Sequence, residues 1–280
     1  MAQTMLITGA NTGIGRAAAE ALAAQGHRLY LACRSEAKTQ PVIDEIAAKT
    51  GNNEIRFLPL DLTSFASVRA CAAAFLDTGE PLHVLMNNAG VAGQQGITAD
   101  GFELTFGVNH LGHFLLSALL REQLVQNAPA RIVNVSSIAH NQAKGIEWEA
   151  VRQPTKNITG LPEYAVSKLA NVLFTQELAR RLDGTGVTAY AVHPGGIGSD
   201  IWSRRFPTFM RGPVNAVLGL VMKSTAEGAK TQVWCATAPE LATESGKYYD
   251  DCREKPASTV ATQELAAELW AHSEEWTTPK

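Results

Sequence analysis

Thr4-Met-Leu-Ile-Thr8, followed directly by Gly9-Ala-Asn-Thr-Gly-Ile-Gly15, decides the fold of this chain. A short apolar run ends in closely spaced glycines and opens into an Ala-rich helical pattern from Gly13 to about Gln25. That is the signature of a strand, a tight turn and a helix. Such a turn offers free backbone N–H groups and the positive end of a helix dipole, both suited to phosphate. The spacing Gly-x-x-x-Gly-x-Gly departs from the commoner Gly-x-Gly-x-x-Gly dinucleotide pattern, yet it stands after the very first strand, where that pattern belongs. Gly9, Asn11, Thr12, Gly13, Ile14 and Gly15 are therefore candidate contacts to a dinucleotide.

Working outward, apolar runs suited to buried strands alternate with helical patterns along the chain. The further runs are Arg28–Cys33, Glu54–Leu60, Leu82–Asn87, Arg131–Ser136, Val187–His193 and a short Gly246–Tyr249. Between them lie a helix capped by Ser35, one capped by Thr63 or Ser64, a long pattern over Gly101–Gln126, a helix after Pro162 reaching Leu182, and one starting at Thr225. Near-continuous apolar strands alternating with helices predict a parallel sheet covered on both faces. The expectation is an α/β, doubly wound Rossmann fold: one domain over residues 1–280, with about seven strands. Residues 138–162 and 197–224 break the rhythm after strand ends, where open parallel sheets bind ligands. The second, with Trp202, Phe206, Phe209 and Met210, reads as a substrate-side flap.

Composition narrows the function classes. With 24 basic and 27 acidic residues, a net charge of −3 and no basic stripe, nucleic-acid binding has no electrostatic support. Cys33, Cys71, Cys235 and Cys252 lack metal-ligand spacing and point to a reducing, cytoplasmic compartment. No signal peptide is read at the start, and Val214–Met222 is far short of the about 18 to 20 apolar residues a membrane helix needs. A soluble protein is expected, with an interfacial membrane contact through Val214–Met222 as a lesser reading.

The end of the second strand discriminates between nicotinamide cofactors. An acid there would bond the ribose 2′-hydroxyl of NAD, whereas an arginine would accept the 2′-phosphate of NADP. The chain has Cys33-Arg34 with no acid before Glu36, and Arg16 adds a second cation after Gly15, so NADP(H) is expected. Further along, Tyr164 and Lys168 stand at i and i+4 on one helix face, where an ammonium can lower a phenol pKa from about 10. A phenol tuned in this way can give or take a proton near neutrality. Ser136-Ser137 closes the fifth strand, and Asn109 interrupts an apolar helical stretch in which an amide could hold a water of a proton relay. His110 and His113 lack partners for a metal site and read as structural, and His140 and His193 read as packing or backbone-bonded residues.

With these residues in place, the chain resembles the short-chain dehydrogenase/reductase family over nearly its whole length. The resemblance rests on Thr8-Gly-x3-Gly-x-Gly15, Asp61-Leu62, Asn87-Asn-Ala-Gly90, Asn109, Ser137, Tyr164-x3-Lys168 and Pro194-Gly195. Within the family it is similar to the retinol dehydrogenase branch, through Asp100-Gly-Phe-Glu-Leu104, Val108-Asn-His-Leu-Gly-His-Phe114 and Ala191-Val-His-Pro-Gly195. The resemblance implies that Asp61 contacts the adenine amino group and Leu62 the ring. It implies that Asn88, Ala89 and Gly90 line the adenosine ribose side, and that Pro194, Gly195, Ile197 and Ser199 hold the nicotinamide end. Asn109, Ser137, Tyr164 and Lys168 would form the catalytic set, with Ser137 preferred to Ser136 as the donor to substrate oxygen, and Lys168 also bonding the nicotinamide ribose. The expected activity is hydride transfer between NADP(H) and an apolar aldehyde, ketone or alcohol, retinal-like compounds included. A sensor that binds NADP(H) without turnover is the alternative, and such proteins break a catalytic set that is whole here. The family forms dimers and tetramers through long helices, so a homodimer or homotetramer stays open.

Overall fold

The computed structural model describes residues 2–195 and 224–279. Eight strands form one sheet in the order β3-β2-β1-β4-β5-β6-β7-β8. They are β1 (Thr4–Thr8), β2 (Arg28–Cys33), β3 (Ile55–Pro59), β4 (Val84–Asn87), β5 (Ala130–Val135), β6 (Val187–His193), β7 (Lys247–Asp250) and β8 (Arg253–Lys255). All pairings from β3 through β7 are parallel, and β8 alone runs antiparallel, against β7. The doubly wound expectation holds, with one strand more than the sequence reading. That strand follows a two-residue turn in which Asp251 and Cys252 both take positive φ, 53° and 54°.

The period-two geometry of strands explains the layers. Met5 and Ile7 of β1 face a core shared with α1 (Gly13–Ala24), α2 (Glu36–Thr50) and α6 (Thr225–Thr237). Leu6, between them, faces a second core with α3 (Phe65–Leu76), α4 (104–126) and α5 (Leu161–Arg181). Helix α4 joins a turn at Leu104–Phe106, a π-helical turn at Gly107–Leu111 and a regular segment at Gly112–Gln126.

A third cluster lies outside the second layer. Phe106, Leu111, Leu169 and Leu173 pack with Ala143, Ile146 and Val151 from the 138–162 stretch, and with Ala266 and Leu269 of α7 (Gln263–Thr277). The first rhythm-breaking stretch is thus a packed excursion with 3₁₀ turns at Ile138–Gln142 and Ala150–Arg152. The expected flap, the Val214–Met222 run, Ile197 and Ser199 lie outside the described residues. Helix α7 covers α4 and α5: Trp270 packs edge-on against Phe114, and Ser273 Oγ lies 2.8 Å from His110 Nε2.

Candidate active site

Parallel pairing carries six strand ends to one edge of the sheet, and the candidate residues follow from those ends. Gly9 comes after β1, Arg34 after β2, Asp61 after β3, Asn88 after β4, Ser136 after β5 and Pro194 after β6. The strand order reverses between β1 and β4, which opens the crevice where such sheets take ligands.

The glycine turn is shaped by close backbone approach. Gly9 has φ +66°, and a Cβ there would stand 2.9 Å from Ala89 Cα; a Cβ on Gly15 would stand 2.5 Å from Gly9 O. Gly13, at φ +58°, has open space beside it. Thr12 caps α1 in extended conformation without a side-chain hydrogen bond, so the first-turn N–H groups keep their donors for an anion. Thr8 Oγ1 accepts from Asn88 N and Ala89 N, both at 2.9 Å, and so ties this turn to the one after β4. Asn88 Nδ2 donates to Thr8 O at 2.8 Å, and its buried Oδ1 has no partner among the described residues. An uncapped helix start, a bare glycine and an orphaned amide oxygen facing one crevice fit a dinucleotide.

Around the rim, Arg34 is exposed one residue past β2, with no ion-pair partner among the described residues. Arg16 stands differently from the sequence reading: it pairs with Glu45 of α2 and is not a free second cation. Asp61 Oδ1 accepts from Thr63 N and Thr63 Oγ1, at 3.0 and 2.8 Å, which fixes the carboxylate after β3. Leu62 is buried in the second core, where a Cβ on Gly112 would stand 2.8 Å from its Cδ2, so its side chain packs inward. Gly195 has φ +85°, and Pro194 and Gly195 follow directly on β6.

The proton-bearing groups converge on the end of β5. Lys168 Nζ, 3% exposed, donates to Val135 O at 2.8 Å and lies 5.6 Å from the centre of the Tyr164 ring. Ser136 Oγ donates to Lys168 O at 2.7 Å, which engages this serine structurally. Ser137 stands close enough to Tyr164 to act on its phenol, and its Oγ accepts from Ala139 N at 3.2 Å. The site therefore separates two serines that the sequence presents as neighbours. The electrostatics differ from the reading based on spacing. Burial raises the Tyr164 pKa, with the nearby Ser137 side chain as the opposing influence, while burial lowers Lys168 itself to about 7. The low dielectric around the pair outweighs a lysine–phenol attraction that i,i+4 proximity alone would suggest.

Asn109 sits in the π-helical turn, fully buried. Its Oδ1 accepts from Val91 N at 2.8 Å, and Nδ2 donates to Val91 O and Ser167 Oγ, both at 3.0 Å. Both amide hydrogens are thus engaged within the protein. Its place is to lock the Gly90–Val91 turn against α5. His113 is closer to the site than its structural reading implied. Nδ1 lies 3.0 Å from Asn109 O and Nε2 2.9 Å from Thr8 Oγ1, and burial brings its pKa to about 4. The i,i+4 spacing to Asn109 was the available signal. His140 joins Ser137 O to Ser258 N, at 2.7 and 3.0 Å, and nothing local in the sequence pairs positions 118 residues apart.

Comparisons with known proteins agree with this geometry. The family model described as short chain dehydrogenase matches residues 3–208. Retinol dehydrogenase 12 of Mus musculus is 47% identical over 270 residues, covering 96% of this chain and 84% of that protein. Retinol dehydrogenase 11 of Homo sapiens is 46% identical over 270 residues, covering 96% and 83%. Among solved structures, an uncharacterised protein from Mycobacterium paratuberculosis superposes with a TM-score of 0.73 at 32% identity, over 98% of this chain and 93% of that one. A sheet wound about a glycine turn, a Ser–Tyr–Lys cluster at its carboxyl edge and these identities together establish that the chain belongs to the short chain dehydrogenase family, in its retinol dehydrogenase-like branch.

Proposed function

We propose that the chain is an NADP(H)-dependent oxidoreductase acting on an apolar aldehyde, ketone or alcohol, with retinal-like compounds among its substrates. Oxidoreduction at CH–OH or C=O groups follows from the family; the cofactor and substrate class are the finer reading. The observation that carries NADP(H) is Arg34, exposed at the end of β2 with neither an acid beside it nor a partner side chain among the described residues. Ile138 and Ile158, 59% and 87% exposed, support an apolar substrate, since one follows Ser137 directly and the other lies on the approach to α5. The names of the retinol dehydrogenase relatives point the same way.

When bound, the nicotinamide supplies or accepts the hydride at the substrate carbon. Gly9, Asn11, Thr12, Gly13, Ile14 and Gly15 would cradle its pyrophosphate. Asp61, Asn88, Ala89 and Gly90 would line the adenosine half, and Pro194 and Gly195 the nicotinamide half. In reduction Tyr164 Oη gives its proton to the carbonyl oxygen, and in oxidation it takes the proton of the alcohol. Ser137 Oγ donates to the same oxygen, where a fixed donor stabilises developing charge. Lys168, with a pKa of about 7, is poised to exchange a proton at the working pH and to bond the ribose. A reducing, cytoplasmic setting suits the four free cysteines. Subunit contact through the outer faces of α4 and α5 is disfavoured by the cover that α7 provides.

The test follows NADPH and NADH oxidation against apolar aldehydes and ketones, retinal included, with Arg34→Ala in parallel. Preference for NADPH that falls by roughly tenfold or more in the variant supports the reading, since an unpartnered arginine loses a charge-assisted phosphate contact. Equal or better use of NADH by the wild-type protein overturns the cofactor assignment.

A further inference from the structure

His140 is fully buried and its two ring nitrogens are committed in opposite senses. Nε2 receives the backbone N–H of Ser258 at 3.0 Å and must carry the lone pair, because an amide only donates. Nδ1 therefore bears the hydrogen and donates to Ser137 O at 2.7 Å. The ring is packed on Tyr248 of β7, centroids 4.6 Å apart, and burial lowers its pKa, which keeps it neutral with both bonds intact. Ser137 starts the 3₁₀ turn Ile138–Gln142 in extended conformation, and its hydroxyl oxygen accepts from Ala139 N. With that oxygen and the carbonyl both held, the hydroxyl hydrogen is the part of Ser137 left to aim.

We propose that His140 is a positioning residue for Ser137, clamping its carbonyl while anchoring the turn to the C-terminal segment through Ser258. This rests on the reading of Ser137 as donor to the substrate oxygen. Ser258 follows β8 and precedes α7, so the clamp connects that donor to the far end of the chain.

Two conservative variants separate the halves of the clamp. In His140→Asn the amide nitrogen falls near the position of Nδ1 and keeps the bond to Ser137 O. In His140→Gln the amide oxygen falls near Nε2 and keeps the bond from Ser258 N, while Ser137 O retains only the backbone N–H of residue 140, at 3.1 Å in the wild-type protein. The expected result is a kcat within about threefold of wild type for His140→Asn and a fall of roughly tenfold or more for His140→Gln, a fraction of what losing such a donor outright costs. The KM for NADPH should move in neither. In a Ser137→Ala background the difference between the two should vanish, as coupling through that serine requires. Equal losses in both variants, a better Gln than Asn variant, or a difference that survives Ser137→Ala would overturn the proposal. Imidazole 15N spectra of the wild-type protein give a readout free of activity: a neutral, Nδ1-protonated His140 is expected, and the Nε2-protonated tautomer or an imidazolium at neutral pH refutes the clamp. Absence of wild-type turnover on every carbonyl would count against the proposed function, and the spectra would still decide on the clamp.

Discussion

Lys168→Met should flatten the pH dependence of stability. The lysine is 3% exposed, donates to Val135 O, and burial lowers its pKa from 10.5 to about 7. The unfolded chain holds this proton up to the unperturbed value, whereas the folded protein releases it near 7. Between those two pH values the unfolded state binds more protons, so the contribution of Lys168 to stability rises with pH across that window. Below about 7 the lysine is charged in both states and its burial penalty is constant. One pKa unit corresponds to about 1.4 kcal/mol, so from about pH 7.5 to about pH 9.5 the cofactor-free wild-type protein should gain about 2 kcal/mol relative to the variant. Urea unfolding of both proteins at those pH values measures it, and the difference between them cancels every titration they share. Methionine keeps the length of the stem without the charge, so packing is the least disturbed variable. Parallel stability profiles would mean that Lys168 titrates at its ordinary value. A slope of opposite sign would mean that an anion holds it charged, and either outcome refutes burial as the cause.

Tyr164→Phe should lower turnover by about a thousandfold while leaving the Kd of NADPH within about twofold, because the ring packing survives and only the proton donor is lost. Ser137→Ala should cost kcat roughly 10²-fold, while Ser136→Ala, which only frees the carbonyl of Lys168, should cost about 1 kcal/mol of stability and little rate; similar kinetics in the two would contradict the separation of the serines. Gly15→Ala places a methyl 2.5 Å from Gly9 O and should weaken NADPH binding at least about tenfold, with a stability loss of about 1–3 kcal/mol seen in a thermal melt.

The parts legible in the sequence share one property: their signal is local. Arg28–Cys33 and Val187–His193 are apolar runs bounded by turn residues, and the strands coincide with them. The glycine turn and the Tyr164–Lys168 pair are likewise matters of spacing within one element. The ammonium–phenol attraction read from that spacing takes no account of burial, which requires the sheet, the excursion and α7 to be assembled first. Helix α7, absent from the sequence expectation, does carry a local signal: Thr262 caps it by accepting from Leu265 N, and Ala266, Leu269 and Ser273 recur on its buried face. Strand β8 had almost none. Its turn places Asp251 and Cys252 at positive φ without the glycine or asparagine that usually marks a two-residue hairpin. Asn109 stands out in the sequence because it interrupts an apolar stretch, but its partners on Val91 and Ser167 lie 18 and 58 residues away.

The carboxyl edge of the sheet is held together by polar chains that run beneath it. One starts at the turn after β4, where Asn88 N and Ala89 N donate to Thr8 Oγ1, and continues through His113 to Asn109 O. The Asn109 side chain then passes to Ser167 Oγ, which donates to Tyr164 O at 2.8 Å. The glycine turn and the backbone of the tyrosine are thereby linked by hydrogen bonds alone. A second chain runs from Ser117 and Asn87 through Asn134 to Thr175, which donates to Asn171 O. Asn171 Nδ2 and Lys168 Nζ then share Val135 O as acceptor. Apolar packing would bury these positions as well, but it fixes distance without fixing which way a lone pair or hydrogen points. A buried donor left unpaired costs about 1–3 kcal/mol, so each link admits few orientations, and an error at one propagates to the next. That is the physical requirement of the proposed site, in which Ser137, Tyr164 and Lys168 would present particular atoms to one oxygen and one ribose. Asn109→Ala removes the first chain's link to Ser167 together with both side-chain bonds to Val91, and should therefore lower kcat far more than it raises the KM for NADPH. A variant that lost cofactor affinity first would place the function of the chain in the glycine turn instead.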